Sequence, residues 1–121
     1  MRVSGVDFTI MPITDFERSK KFYGETLGLE QSKQWGDMPA QEFETGSLTI
    51  AICEPQAIGQ EFDAQKFPIA LHVDNVEAAR TELEGKGITF FGDTMDSGVC
   101  HMCFFTDPDG NALMLHNRYA D

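Results

Sequence analysis

Hydrophobic and polar positions along the chain form an arrangement that occurs twice. The stretch Ile13-Thr14-Asp15-Phe16-Glu17 opens a helical pattern, and Thr14 with Glu17 three positions later matches a capping box. Phe16, Phe22, Tyr23 and Leu27 then share one stripe, and Gly28 is placed to stop the helix. About sixty residues further on, Val73-Asp74-Asn75-Val76-Glu77 repeats this opening. There Asp74 and Glu77 are the expected cap pair, Val76, Ala79 and Leu83 form the stripe, and Gly87 ends it.

Extended segments flank each helix in the same order. An apolar strand precedes each one, at residues 6–11 and 69–73, and three more follow. They are expected at 30–35, 40–45 and 48–53 in the first half, and at 88–91, 99–106 and 112–117 in the second. Tight turns at Thr45-Gly46 and Asp107-Pro108-Asp109-Gly110 join the last two strands of each half. The chain therefore reads as two βαβββ modules of an α+β fold within one domain, residues 1–121. Module one covers about 1–56, a polar linker about 57–66, and module two about 67–121. A module of half this length does not close a core, so the sheets are expected to pair, within one chain or between two. The helices cover the outer face of each curved mixed sheet and leave the other face to line a concave cavity.

Composition narrows the partners. The chain has 121 residues, 20 acidic and 9 basic, for a net charge of −11. That balance argues against nucleic acid, whose phosphates an acidic protein repels. No apolar run reaches the roughly 20 residues of a membrane-spanning helix. The opening residues lack the apolar stretch of a secretory signal, so a cytoplasmic location is expected.

The segments Thr14-Asp15-Phe16-Glu17-Arg18-Ser19, Phe22-Tyr23 and Leu27-Gly28-Leu29 carry a family likeness, together with Ile69-Ala70-Leu71-His72-Val73-Asp74 and Asp107-Pro108-Asp109-Gly110-Asn111. Through them the chain resembles the vicinal oxygen chelate superfamily, also called the glyoxalase/bleomycin resistance/dioxygenase family. The resemblance implies that metal-dependent members hold a divalent ion with His or Glu at positions that fall here on Phe8, Ala51, Pro68 and Met114. Phe, Ala and Pro have no side-chain donor, and Met sulfur is soft, so none suits a hard or borderline divalent ion. No metal and no cofactor is expected, nor the usual glyoxalase or dioxygenase chemistry. The resemblance also implies cationic side chains in members that act on glutathione adducts or phosphonates. Here Lys and Arg are absent from residues 34–65 and 87–117, which favours a neutral or cationic ligand. A homodimer is the assembly expected of a member of this size.

Strand alternation extends these positions, because residues two apart share a face. Ile10, Thr49, Cys53, Ala70, His72, Ala112 and His116 then join them on the concave side. The two-residue turn sets Ala40 opposite Ala51 and brings in Glu42. A four-residue turn at 107–110 sets Cys103 opposite Met114 and turns His101 and Phe105 inward, although a one-residue slip inverts this. Trp35 is either a stacking residue or core. Residues 59–64 are either a linker or a flap presenting Phe62. Cys100-His101-Met102-Cys103 resembles a redox pair, yet on a strand its cysteines face opposite ways, and the three cysteines read as reduced thiols.

Three functions remain open. The first is a metal-free protein that sequesters a small neutral or cationic organic ligand using Phe8, Trp35, Glu42, Ala51, Cys53, His72, His101, Cys103, Phe105, Met114 and His116. The second is a metal-independent lyase or isomerase with His72, His116 or Glu42 moving a proton and Cys53 as a weak candidate nucleophile. The third is a degenerate scaffold with an interaction role.

Overall fold

A computed structural model describes residues 1–121. It divides into two compact units, Met1–Asp63 and Ala64–Asp121. Each holds a four-stranded mixed sheet and one principal helix, the α+β architecture of two βαβββ modules.

In the first unit β1 (Thr9–Pro12) leads into α1 (Phe16–Lys21), followed by β2 (Glu30–Gln34), β3 (Ala40–Glu44) and β4 (Thr49–Cys53). The sheet order is β1-β4-β3-β2, with β1 and β4 parallel and the other neighbours antiparallel. The α1 cap is one residue later than the capping box suggested, since Asp15 accepts the Arg18 amide at 3.1 Å. Past Lys21 the helix widens into a π-helical turn, Phe22–Thr26, in which the Leu27 amide reaches back to the Phe22 carbonyl at 2.9 Å. The wider turn buries two adjacent aromatics, Phe22 and Tyr23, packed edge to face at 5.1 Å. Tyr23, Phe43, Met11, Ile13, Ile50 and Ile52 are fully buried and form the core between helix and sheet.

The second unit runs β5 (Ile69–His72), α2 (Val76–Gly85), β6 (Phe91–Asp96), β7 (Cys100–Thr106) and β8 (Ala112–Arg118), in the sheet order β5-β8-β7-β6. Its helix is capped by Asn75, one residue beyond the expected Asp74, which accepts the Ala78 amide at 2.9 Å. Val76, Leu83, Phe90, Cys103, Phe105, Leu113 and Leu115 form its core. β6 begins three residues later than the sequence pattern placed it. Arg80 holds its bulged start by donating to the Gly92 carbonyl at 2.9 Å and to Thr94 at 3.2 Å, with its guanidinium 4.9 Å from the centre of the Phe90 ring.

Two connections differ from the expected turns, with unequal consequences. The β3–β4 connection is a four-residue turn closed between Thr45 and Leu48, so Ala40 pairs with Cys53 and Glu42 with Ala51. That is a shift of two, and every face is retained. The β7–β8 connection leaves five residues unpaired, because Thr106 pairs with Ala112. Within it the buried Asp107 carboxylate accepts the Asp109 and Asn111 amides, both at 2.9 Å, and the Asn111 side-chain amide at 2.7 Å. Asn111 belongs to the turn because its side chain completes that network and also accepts the Gln65 amide at 2.8 Å. The one-residue difference exchanges the two faces of β7.

Candidate functional site

In the first unit the face away from the core gathers Phe8, Trp35 and Glu42. Phe8 directly precedes β1, and Trp35 follows β2, where its amide donates to the Ala40 carbonyl at 3.1 Å. The two rings meet edge to face, 5.1 Å between centroids. The Trp35 indole N–H donates to Glu42 Oε2 at 2.6 Å. A half-buried indole is thus fixed by a carboxylate that has a second oxygen free of this bond. Phe8 is 40 % exposed, so its ring is open to a ligand.

Other carboxylates share this face. Glu44 lies two residues beyond Glu42 and directly opposite Glu30. Hydroxyls of Ser32 and then Thr49 donate to Glu44 and hold its carboxyl below the usual glutamate range. Lys33, in the β2 bulge between Gln31 and Gln34, is the one basic residue in the four strands. The face therefore joins an aromatic pair to an excess of negative charge, a combination that suits an organic cation or a neutral aromatic.

Ala51 lies between Ile10 and Glu42 on this face but is fully buried, as are Ala40 and Cys53. Ala51 and Cys53 form the floor and offer little surface to a ligand. Burial, followed by the neighbouring Glu54 charge, raises the Cys53 thiol above its ordinary pKa, which keeps it protonated and argues against a nucleophile.

In the second unit the open face differs from expectation because of the β7 exchange. His72, His116 and Met114 are on it, as the alternation indicated. His101, Cys103 and Phe105 are not. They lie on the side of Leu113 and Leu115, paired through Asn117, Leu115 and Leu113. Met102 and Phe104 take their places, paired with His116 and Met114. The sequence alone did not separate the two faces, since residues 100–106 carry apolar side chains at both parities.

His101 joins a different cluster. Its ring stacks on Tyr119 at 4.6 Å, and its Nε2 lies 3.2 Å from Asp96 Oδ2. The Tyr119 hydroxyl donates to Asp96 Oδ1 at 2.7 Å. That bond lowers the Asp96 carboxyl and raises the Tyr119 phenol relative to their ordinary values. His101 and Tyr119 also line a shallow pocket of about 300 Å³ beside the start of α2, with Asp74, Glu77 and Asn117.

All three cysteines are free and buried. Cys100 and Cys103 pair with Arg118 and Leu115, so they point to opposite sides of β7. Burial raises the Cys103 thiol as well.

The four positions that the family likeness assigns to a metal, Phe8, Ala51, Pro68 and Met114, do not fit a hard divalent ion. Neither unit brings three or more His, Cys, Asp or Glu side chains together for a metal. No helix is long and apolar enough to cross a membrane.

Residues 5–115 match the model of the Glyoxalase/Bleomycin resistance protein/Dioxygenase superfamily, and the chain belongs to that superfamily. Among curated relatives, the glutathione transferase FosA of Serratia marcescens is 26% identical over 88% of this chain and 75% of its own length. The lactoylglutathione lyase of Schizosaccharomyces pombe is 24% identical over 91% of this chain, which spans only 46% of that enzyme. Among solved structures, TnmS3, an antibiotic binding protein from Streptomyces sp. CB03234, superposes with a TM-score of 0.80 at 23% identity, covering 98% of both chains. That likeness establishes the fold.

Proposed function

We propose that the chain is a small-molecule binding protein of the glyoxalase/bleomycin resistance type, which sequesters a neutral or cationic organic ligand without a metal ion at the four family positions. Phe8 and Trp35 supply the aromatic surface and Glu42 the charge. The observation that carries this reading is the short bond from the Trp35 indole to Glu42, which holds a flat ring and a carboxylate ready on an open sheet face. The fold shared with an antibiotic binding protein supports it, and so does the excess of carboxylates over Lys33.

Trp35 is the only tryptophan of the chain, so its emission reports on the site directly. Titration with N-methylquinolinium and its neutral isostere 1-methylnaphthalene is expected to change that emission and raise the thermal midpoint in proportion to occupancy. If the anion 1-naphthoate binds more tightly than both, the reading is wrong.

A further inference from the structure

The five-residue β7–β8 connection turns His101 to the helix side of its sheet, opposite Asn117 on β8. There its ring meets Tyr119, just past the strand, and the two stack with centroids 4.6 Å apart and planes at 30°. Asp96 fixes both rings, accepting from the Tyr119 hydroxyl at 2.7 Å and lying 3.2 Å from His101 Nε2. The stack, Asn117 and the first turn of α2 line the pocket of about 300 Å³, with Asp74 and Glu77. We propose that this pocket binds a monoalkylguanidinium group, carried by a free guanidino compound or by an arginine side chain.

Charge decides the sign of the ligand. The lining holds two carboxylates and no Lys or Arg. Arg118 follows Asn117 but alternates to the other face of β8, opposite Cys100. The α2 N-terminus contributes roughly half a positive charge, less than either carboxylate. Asn75 Oδ1 already accepts one of its amides, that of Ala78, at 2.9 Å. An anion is therefore repelled. A metal ion is also poorly served, because Ca²⁺ takes about six to eight oxygens and no three His, Cys, Asp or Glu side chains converge here.

Shape then selects among organic cations. A guanidinium is planar, stacks on aromatic faces and presents its donors in a fixed fork, whereas an ammonium gains the charge alone. Tyr119 is 48 % exposed, which leaves ring surface for a cation beyond the part that His101 covers. The Asn117 side-chain amide donates to the Val73 carbonyl at 2.9 Å. That bond fixes the amide and leaves Oδ1 as a neutral acceptor in the same lining. The volume is at the small end for ligand pockets and suits one side-chain-sized group.

The pocket lies within the second unit and does not rest on the ligand reading of the first sheet. Both sites favour positive charge, so the test must report where a cation sits. The full chain is titrated with butylguanidinium and with Ala-Arg-Ala blocked at both ends. NMR follows the His101 and Tyr119 ring signals and the Trp35 indole N–H. Both probes are expected to shift the two rings saturably, and the tighter one tells a free compound from a protein side chain as the source. The blocked citrulline peptide, which keeps the shape without the charge, is expected to leave the rings unmoved. Butylammonium is expected to bind more weakly than butylguanidinium. Glu77→Gln is expected to weaken butylguanidinium about fivefold, the factor for one unit charge about 4 Å away in a water-like medium. Probes that move only the Trp35 signal, an ammonium as tight as the guanidinium, or unchanged affinity in folded Glu77→Gln would each overturn the proposal. The ring shifts of the parent chain decide the matter even if the variant fails to fold.

Discussion

Replacing Glu42 by Gln tests the charge logic of the first sheet while altering shape very little. In the parent chain the Trp35 N–H donates to a carboxylate at 2.6 Å. A hydrogen bond to a charged group contributes about 1.5–3 kcal/mol, against about 0.5–1.5 for a neutral one. Gln keeps an acceptor for Trp35, so the loss is about 1 kcal/mol at most and nearer ~0.5 in a half-exposed site. The melting midpoint is expected to fall by only about 2–4 °C. A bound cation loses more. A unit charge about 4 Å from the carboxylate gains about 1 kcal/mol in a water-like medium and about 4 at an effective dielectric of 20. Partial exposure places the Glu42→Gln loss near ~1–2 kcal/mol, about 5- to 30-fold in affinity for N-methylquinolinium. Affinity for 1-methylnaphthalene is expected to stay within about twofold, because no charge is involved. Both affinities are read from Trp35 emission. Equal weakening of the two probes, or of neither, refutes the role given to Glu42.

Three further outcomes follow from geometry elsewhere. Asp107→Ala orphans three donors around a carboxylate that is 3 % exposed, so a loss of about 3–5 kcal/mol is expected from urea midpoints with the slope unchanged. The Asp96–Tyr119 bond gives pH dependence at both extremes. The raised Tyr119 stabilises below its unfolded pKa of 10.0 and loses that contribution as pH rises through the folded value, while the lowered Asp96 stabilises above 3.8 and loses its share as pH falls. Asp96→Asn is expected to bring the phenol midpoint down in an absorbance titration, and an unchanged midpoint excludes the bond in solution. Finally, a chromogenic disulfide reagent is expected to label the native thiols slowly and all three at once in denaturant, given that all are buried. Immediate labelling of Cys53 would restore it as a candidate nucleophile.

The two-module architecture was legible because helix stripes, caps and glycine stops recur in order along one chain. Caps were misplaced by one residue at Asp15 and Asn75, since Thr-Asp and Asp-Asn each offer two adjacent cap formers. Faces in the first sheet were readable since Ile50 and Ile52 alternate with Thr49, Ala51 and Cys53 in β4, and a shift of two preserves that alternation. β7 carried no such signal. Its face depends on Asn111 entering the turn through a side-chain network that residue identity alone does not reveal. The Trp35–Glu42 bond was equally hidden, because it spans the turn between β2 and β3 and needs the indole to fold back over the sheet.

The bulges in β2 and β6 bear on how the protein behaves at high concentration. Both are outer strands with one side unpaired within their sheet, both are largely exposed, and each loses regular register midway, between Gln31 and Gln34 and between Phe91 and Met95. A straight outer strand is a template on which another chain can polymerise through backbone bonds. The irregularity breaks that template after a few residues, which matters most at β6, where Phe91 and Met95 would otherwise give an invading strand apolar contacts. Excising the one extra residue of β2, such as Ser32, or the two extra residues of β6, such as Gly92 and Asp93, is expected to straighten the border and raise fibril formation in a thioflavin assay.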